Sequence, residues 1–342
     1  MPCSAVPERA IGGVFEAQPA GAPVSGSLWA TMTAGAASVL TFRNARSAFA
    51  HVLRSLALRR VFLPAYCCTD MRAAVAAVSQ APVFYHSDFD LCPDIGALER
   101  ALRPGDLVLG INHFGRPAQD LAALARARRD VIWVEDCAQS LAGSGWADLR
   151  IFSPRKWLGV ADGGVLIDTQ GTLPLPSQRP AASAALCHAG LLRRHDQADR
   201  DNARWFAAFR RAEAHMQVSD YAMSADTLRI LQATAFAPLA NARRANYAQL
   251  YAALGDSALW SDPAPEWVPL GFALRCADAG ALAARLARHR IFAPRHWQTL
   301  ASDAPSQTER MLSGSLLTLP CDQRYGSRDM DHVIAAVSEA MA

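Results

Sequence analysis

Lysine is nearly absent from this chain of 342 residues. Lys and Arg together number 34, and Lys156 is the only lysine among them. An arginine can serve in ion pairs and on surfaces, but its guanidinium stays protonated and cannot attack a carbonyl, whereas a lysine amine can lose its proton and form an imine. Retention by chance is the alternative. The surviving lysine is nevertheless the first candidate for a catalytic group.

A strong excess of charge is also missing. The net charge is +3 and no basic run occurs, which argues against a nucleic-acid-binding protein. Hydrophobic residues make up 51% and charged residues 19%, a composition that excludes a disordered chain and allows a substantial core. The length suits one large and one small domain.

The cysteines form no metal-binding or disulfide pattern. None of the eight makes a CxxC pair, and no two histidines stand at metal-ligand spacing. We therefore expect no metal site and no disulfide framework, and this usage fits a protein of the reducing cytoplasm.

A continuous membrane-spanning segment is lacking as well. The uncharged stretch over residues 17–42 is diluted by Gly, Ser, Thr and Pro, so it has no apolar core long enough to cross a bilayer. Glu8 offsets Arg9, which removes the basic region of a signal peptide. We expect residues 1–25 to form a loose arm.

Helical and strand patterns alternate from residue 43 onward. The predicted strands cover residues 60–65, 82–86, 106–112 and 130–134, and the helices cover 47–58, 69–78, 94–102 and 118–129. Apolar strands without alternation predict a mostly parallel sheet covered by helices on both faces. Two further strands, 149–152 and 165–168, have no long helix between them, so we expect an antiparallel strand there.

The C-terminal part predicts a second, smaller domain. Residues 171–200 are rich in Pro, Ala and Arg and are interpreted as a crossing segment. The later elements are a helical stretch over 224–254 broken near Pro238, strands over 267–276 and 315–319, and helices over 278–290 and 329–341. We therefore predict an α/β fold with a large domain over 26–222 and a small α+β domain over 223–342.

Chemically active residues follow the predicted strands. Asp136 ends the strand 130–134, Ser153-Pro154-Arg155-Lys156 ends the strand 149–152, and Asn44-Ala45-Arg46-Ser47 precedes the first helix. Open α/β sheets bind ligands at the carboxyl ends of their strands. Asp136 with a lysine twenty residues later fits either a salt bridge or the pyridinium partner and imine lysine of pyridoxal phosphate. The amides at a helix N-terminus would supply the phosphate site.

Motifs around these residues resemble the DegT/StrS family. They are Val134-Glu135-Asp136-Cys137-Ala138-Gln139-Ser140, Ala147-Asp148, Phe152-Ser153, Lys156 and Asp162-Gly163-Gly164-Val165. Asn112-His113-Phe114-Gly115 is similar to the family's His-x-x-Gly turn, and Leu63-Pro64-Ala65-Tyr66 falls at its strand-Pro segment. The similarity runs from about residue 40 to 170 and is weaker through Ser219-Asp220-Tyr221-Ala222-Met223-Ser224 and Leu319-Pro320-Cys321-Asp322. It implies a fold-type I, pyridoxal 5'-phosphate-dependent enzyme that is a homodimer with a shared active site.

The resemblance also implies roles for single residues. Lys156 would carry the cofactor, Asp136 would keep the pyridinium nitrogen protonated, and Gln139 would contact the ring face or its phenolic oxygen. Ser153 and the amides of Ala45–Ser47 would hold the phosphate. Tyr66 is predicted, from its local chemistry, to stack on the ring. The sequence has Asn44-Ala45-Arg46 where the family usually has a Ser-Gly-Thr type loop.

The implied function is transfer of an amino group from glutamate to a nucleotide-linked keto sugar, in surface-polysaccharide or secondary-metabolite biosynthesis. A sugar dehydratase that uses the same cofactor, and a protein of this fold that binds without catalysis, are the alternatives. His113 and His296 are candidates for acid–base or substrate contacts, although a lone histidine is more often a structural donor. Trp157 and Trp297 are interpreted as packing residues.

Overall fold

The computed structural model describes residues 10–180, 188–196, 201–297 and 306–341. The first nine residues of the expected arm, and parts of the crossing segment 171–200, lie outside these ranges.

The strands occur in both halves of the chain. In chain order they are β1 (Ile11–Gly12), β2 (Ser38–Phe42), β3 (Val61–Pro64), β4 (Pro82–Tyr85), β5 (Leu107–Ile111), β6 (Ile132–Cys137), β7 (Leu149–Phe152), β8 (Gly164–Asp168), β9 (Phe272–Arg275), β10 (Ile291–Phe292) and β11 (Leu316–Leu319).

The helices separate most of these strands. In chain order they are α1 (Leu28–Met32), α2 (Ala45–Ser55), α3 (Thr69–Ala76), α4 (Ile95–Ala101), α5 (Ala122–Ala127), α6 (His188–His195), α7 (Asn202–Ala214), α8 (Ala225–Ala233), α9 (Phe236–Leu254), α10 (Ala279–Arg288), α11 (Gln307–Ser315) and α12 (Ser327–Met341).

One seven-stranded sheet forms the centre of the molecule. Its strand order is β2-β8-β7-β6-β5-β3-β4. The strands from β7 to β4 are parallel, whereas β8 runs antiparallel to both β7 and β2. Apolar clusters cover both faces of the sheet. The predicted α/β class, the mostly parallel sheet and the antiparallel strand are confirmed.

The C-terminal third has a sheet and a core of its own. Strands β9 and β11 pair antiparallel, and helices α9, α10 and α12 pack with them in one apolar cluster. Helix α8 packs differently, because Ile230 and Leu231 join the cluster beneath the large sheet. The division at residues 222/223 remains our proposal for the domain boundary.

The structure differs from the expected elements at three points. Asp136 lies within β6 rather than after it. The helical stretch breaks near Pro238 as expected, at Thr234 and Ala235, but Pro238 itself lies in the first turn of α9, where a missing N–H costs no hydrogen bond. Strand β2, at the sheet edge, was not predicted, because it lies in the stretch that we judged only for membrane insertion.

The start of the described chain is packed rather than loose. Ile11 is fully buried and pairs in parallel with Ile291 of β10. The expectation of a loose arm is therefore wrong for this part of residues 1–25. In the part of the chain that the structure describes, no helix is long and apolar enough to span a membrane.

Candidate active site

Two adjacent carboxylates at the end of β6 have different surroundings. Successive strand residues point to opposite faces. Glu135 is fully buried and accepts hydrogen bonds from Asn112 Nδ2 (2.7 Å) and from the backbone N–H of Ser144 (3.0 Å), so its lone pairs are satisfied. Asp136 is buried and accepts from the N–H of Ala138 (2.8 Å). Burial raises the pKa of Asp136, and the positive charge of Lys156 opposes that shift.

Lys156 lies on the neighbouring strand connection. A single helical turn over Pro154–Lys156 follows β7, which pairs with β6 so that Asp136 stands opposite Ile151. The amine of Lys156 therefore lies near the carboxylate of Asp136, at the carboxyl end of the sheet. Ser153 begins this turn, and its side chain makes no capping hydrogen bond with it.

The N-terminus of α2 approaches the same edge. Asn44 caps the helix and bridges to Gly163, and a Cβ at Gly164 would stand 2.3 Å from the Asn44 carbonyl carbon. The Asn44 side chain accepts from the N–H and the hydroxyl of Ser47, both at 2.9 Å. We expected the amide of Ser47 to be free to bind a phosphate. It instead donates to the Asn44 side chain. The amides of Ala45 and Arg46 remain the candidates for an anion.

Arg46 links this helix to the start of α3. Its guanidinium pairs with Asp70 at 2.6 Å. Cys68, which immediately precedes α3, is half-buried, and burial raises the pKa of its thiol to about 11 while the charge of Lys156 opposes the shift. The structure thus brings Cys68, which the sequence analysis did not select, into the neighbourhood of Lys156.

Two buried polar atoms at this edge lack any hydrogen-bond partner. Gln139 accepts from the N–H of Phe114 (2.7 Å) at its Oε1, but its Nε2 is unpaired. The hydroxyl oxygen of Ser219 is also unpaired, although the Ser219 N–H donates to Ser47 Oγ (3.0 Å). Buried unpaired donors are costly, so both positions fit a ligand that brings acceptor oxygens. Phe114 itself has a φ of 55°, a conformation common at functional turns.

The candidate histidines belong to a buried aromatic group. His113 donates from Nε2 to the carbonyl of Tyr66 (3.2 Å), and burial lowers its pKa to about 4. The Tyr66 hydroxyl donates to the carbonyl of His296, and its ring lies 5.0 Å from that of Trp297. Burial, then the charge of Lys156, lower the pKa of His296 to about 3. Tyr66 thus packs against other rings, and its role as a stacking residue stays a prediction.

A cavity of about 630 Å³ adjoins this edge. Lys156 and His296 line it, together with Phe15 from the N-terminal segment and Phe206 and Phe209 from α7. Most of its wall is apolar, and the group of Asp136, Gln139 and Tyr66 lies outside its lining. Lys156 therefore lies between the buried acidic end of β6 and this cavity.

Comparisons with known proteins identify the fold. No protein-family model matches the chain, and no curated protein matches its sequence. Among solved structures, the aminotransferase TlmJ from Streptoalloteichus hindustanus is 18% identical, with a TM-score of 0.63 over 88% of this chain and 85% of that one. A DegT DnrJ EryC1 StrS aminotransferase from Brucella abortus is 16% identical, with a TM-score of 0.62 over 90% and 87%.

A third structure is similar over almost the whole chain. It is the sugar aminotransferase Spr1654 from Streptococcus pneumoniae in its PLP form, 14% identical, with a TM-score of 0.66 over 97% of this chain and 94% of that one. Likeness at these identities shows a shared fold. The chain therefore has the fold-type I architecture that the sequence motifs predicted.

Proposed function

We propose that this protein is a pyridoxal 5'-phosphate-dependent aminotransferase of the DegT/StrS type, with Lys156 as the lysine that carries the cofactor. The observation that carries the proposal is the placement of the only lysine beside a buried carboxylate, Asp136, at the carboxyl end of a fold-type I sheet. The fold neighbours support it, because those described in the comparisons are aminotransferases.

The unpaired polar groups fit this cofactor. Gln139 Nε2 can donate to a phenolic oxygen, and the Ser219 hydroxyl and the amides of Ala45 and Arg46 can donate to a phosphate. Asp136 is held where a cation would offset the cost of burying its charge, and a protonated pyridinium is such a cation.

Pyridoxal phosphate, when bound, supplies an electron sink that stabilises negative charge at the substrate carbon. Asp136 would present a buried carboxylate to the ring nitrogen and so favour its protonated form. Lys156 Nζ would act as the base that takes a proton from the amino donor's α-carbon and as the acid that returns it. A cavity with a largely apolar wall adjoins Lys156, where this transfer would take place.

The substrates and the setting follow from the resemblance. We propose glutamate as the amino donor and a nucleotide-linked keto sugar as the acceptor, in polysaccharide or secondary-metabolite biosynthesis. A homodimer with a shared active site and a cytoplasmic location belong to the same proposal.

Covalent labelling tests the role of Lys156. Borohydride reduction in the presence of pyridoxal phosphate, followed by peptide mapping, should label Lys156, because the α-amino group is the only other primary amine. In Lys156→Arg the charge near Asp136 persists but the nucleophile is lost. We expect the variant to fold, to take no label in this peptide, and to lose activity by roughly three orders of magnitude or more.

Addition of glutamate separates the remaining functions. An aminotransferase should lose the visible absorbance of the bound cofactor when glutamate alone is added, whereas a dehydratase should keep it. Wild-type protein without label at Lys156, or an arginine variant with full activity, would overturn the proposal.

A further inference from the structure

The cavity beside Lys156 holds several cationic side chains that differ in how their charges are balanced. Arg155 donates to Glu213. Arg324 forms two hydrogen bonds with the carboxylate of Asp322 (2.8 and 2.9 Å) and lies 3.6 Å from Glu16. These two arginines therefore have carboxylate partners within the protein.

Arg295 is a third and weaker case. It is half-buried, forms no salt bridge among the described residues, and its Nε has no hydrogen-bond partner. Its charge lowers the pKa of the exposed Asp278, after the backbone N–H groups that bind that carboxylate. Because part of its side chain stays exposed, solvent shares its charge.

Arg243 differs from Arg295 in the depth of its burial. It is fully buried, it lines the same cavity, and it forms no salt bridge in the described structure. Its Nε donates to Gln323 (2.7 Å), and Nη1 donates to the carbonyls of Pro269 (3.1 Å) and Leu270 (3.0 Å). Its Nη2 has no partner.

Arg243 also lies close to the reactive lysine. Its guanidinium carbon lies 4.4 Å from the ring centre of Trp157, the residue that follows Lys156. Gln323 joins the two, because it accepts from Arg243 and donates to the Trp157 carbonyl (2.8 Å). Arg243, with its unpaired Nη2, and Lys156 therefore line the same cavity.

A buried cation without a paired anion is unfavourable unless a ligand completes it. Asp322, the acid whose charge acts most strongly on Arg243, is already engaged by Arg324, although its charge offsets part of the burial cost. Burial lowers the pKa of Arg243 to about 10, so the guanidinium is still charged at neutral pH. Among the described residues, the charge of Arg243 thus has no directly paired carboxylate.

We propose that Arg243 binds a carboxylate of the amino donor through Nη2. A carboxylate fits better than a diphosphate, because only one guanidinium nitrogen is free and the surrounding wall is largely apolar. The inference rests on the proposed function, since the bound carboxylate orients the donor amine toward the cofactor on Lys156.

The experiment compares Arg243→Met with Arg244→Met. Arg244 is the next residue of α9, donates to the carbonyls of Glu266 and Trp267, and does not line the cavity. The glutamate concentration for half-maximal loss of the cofactor absorbance should rise about 10- to 100-fold in Arg243→Met and stay unchanged in Arg244→Met. Arg243→Lys should be intermediate. With a carboxylate-free alkylamine, Arg243→Met should react like the wild type.

A second variant covers the case in which Arg243→Met fails to fold. Gln323→Glu keeps the acceptor toward Arg243, supplies an internal anion and loses the donor to the Trp157 carbonyl. It should weaken glutarate binding, measured by isothermal titration calorimetry, about tenfold. Wild-type protein that takes no label at Lys156 would refute the proposed function. Labelled, glutamate-reactive protein in which both variants match the wild type would refute only the role of Arg243.

Discussion

At the scale of single residues, the site depends on how each polar group is satisfied. Lys156 is unique in the sequence, and its positive charge opposes the rise in pKa that burial causes at Asp136. Glu135, the immediate neighbour of Asp136, is fully paired within the protein. Gln139 is only half paired, and its free amide is the clearest sign that a ligand completes the site.

The unpaired amide leads to a prediction for Gln139→Glu. A glutamate keeps an acceptor for the Phe114 N–H but loses the Nε2 donor. We expect pyridoxal phosphate to bind about tenfold more weakly, because one charge-assisted hydrogen bond is lost. The rise in melting temperature on adding the cofactor, measured for both proteins, checks this. An equal rise in both would show that Nε2 does not meet the cofactor.

At the scale of elements, the loop before β8 joins the site to helix α8. Asp162 is buried and accepts from the Ser224 N–H (3.0 Å), the Ser224 hydroxyl (2.8 Å) and the Thr227 hydroxyl (2.6 Å). Ser224 in turn caps α8. The Asp162-Gly163-Gly164 motif therefore does two things: its carboxylate fixes a helix, and its glycines let the chain pass beside Asn44.

Removing this carboxylate should destabilise the protein. In Asp162→Ala the buried donors of Ser224 and Thr227 lose their acceptor, and we expect a loss of roughly 2–4 kcal/mol in the free energy of unfolding. Asp226→Ala is the matched control, because Asp226 is exposed on the same helix and pairs only with Arg229; its effect should be within about 0.5 kcal/mol. Urea unfolding measures both. Equal stability of the two variants would contradict the anchoring role.

At the scale of the whole molecule, the N-terminal segment joins the two ends of the chain. Strand β1 pairs with β10, and the Gly12 N–H donates to the Tyr325 hydroxyl (2.7 Å). Further along, the Gln18 N–H donates to the carbonyl of Gly159 (3.0 Å), just after Lys156. A Cβ at Gly159 would stand 1.7 Å from the Glu16 carbonyl oxygen, so only glycine allows this approach. The segment thereby forms one wall of the cavity.

Truncating Ile11 tests whether this segment contributes to global stability. Ile11 is fully buried in the C-terminal core, so Ile11→Ala should lower the free energy of unfolding by roughly 2–5 kcal/mol. Val24→Ala, in the same N-terminal region but 40% exposed, should change it by less than about 0.5 kcal/mol. Chemical unfolding followed by tryptophan fluorescence measures both. An Ile11→Ala protein as stable as the wild type would mean that the segment packs without stabilising the fold.

The sequence by itself determined the features that depend on local pattern. Apolar runs separated by amphipathic stretches located β3 to β8 and most of the intervening helices, because burial on both sheet faces leaves a readable periodicity. The single lysine pointed to Lys156 through the chemistry of its amine, and strand-end position selected Asp136. Strand ends and helix starts were misplaced by a few residues, since hydrogen bonding across the sheet, rather than local pattern, fixes them.

Tertiary structure alone decided which polar groups are left unpaired. Cys68 and Arg243 carry no distinguishing local pattern, and the sequence does not show that the Ser219 hydroxyl is unpaired; each gains its significance from residues far away in the chain. The same holds for Ser47, whose amide a neighbouring side chain occupies, and for Ile11, whose partner strand lies near the opposite end of the chain. Burial and pairing are properties of the folded environment, so a sequence pattern can name a candidate residue but cannot say whether its hydrogen bonds are already satisfied.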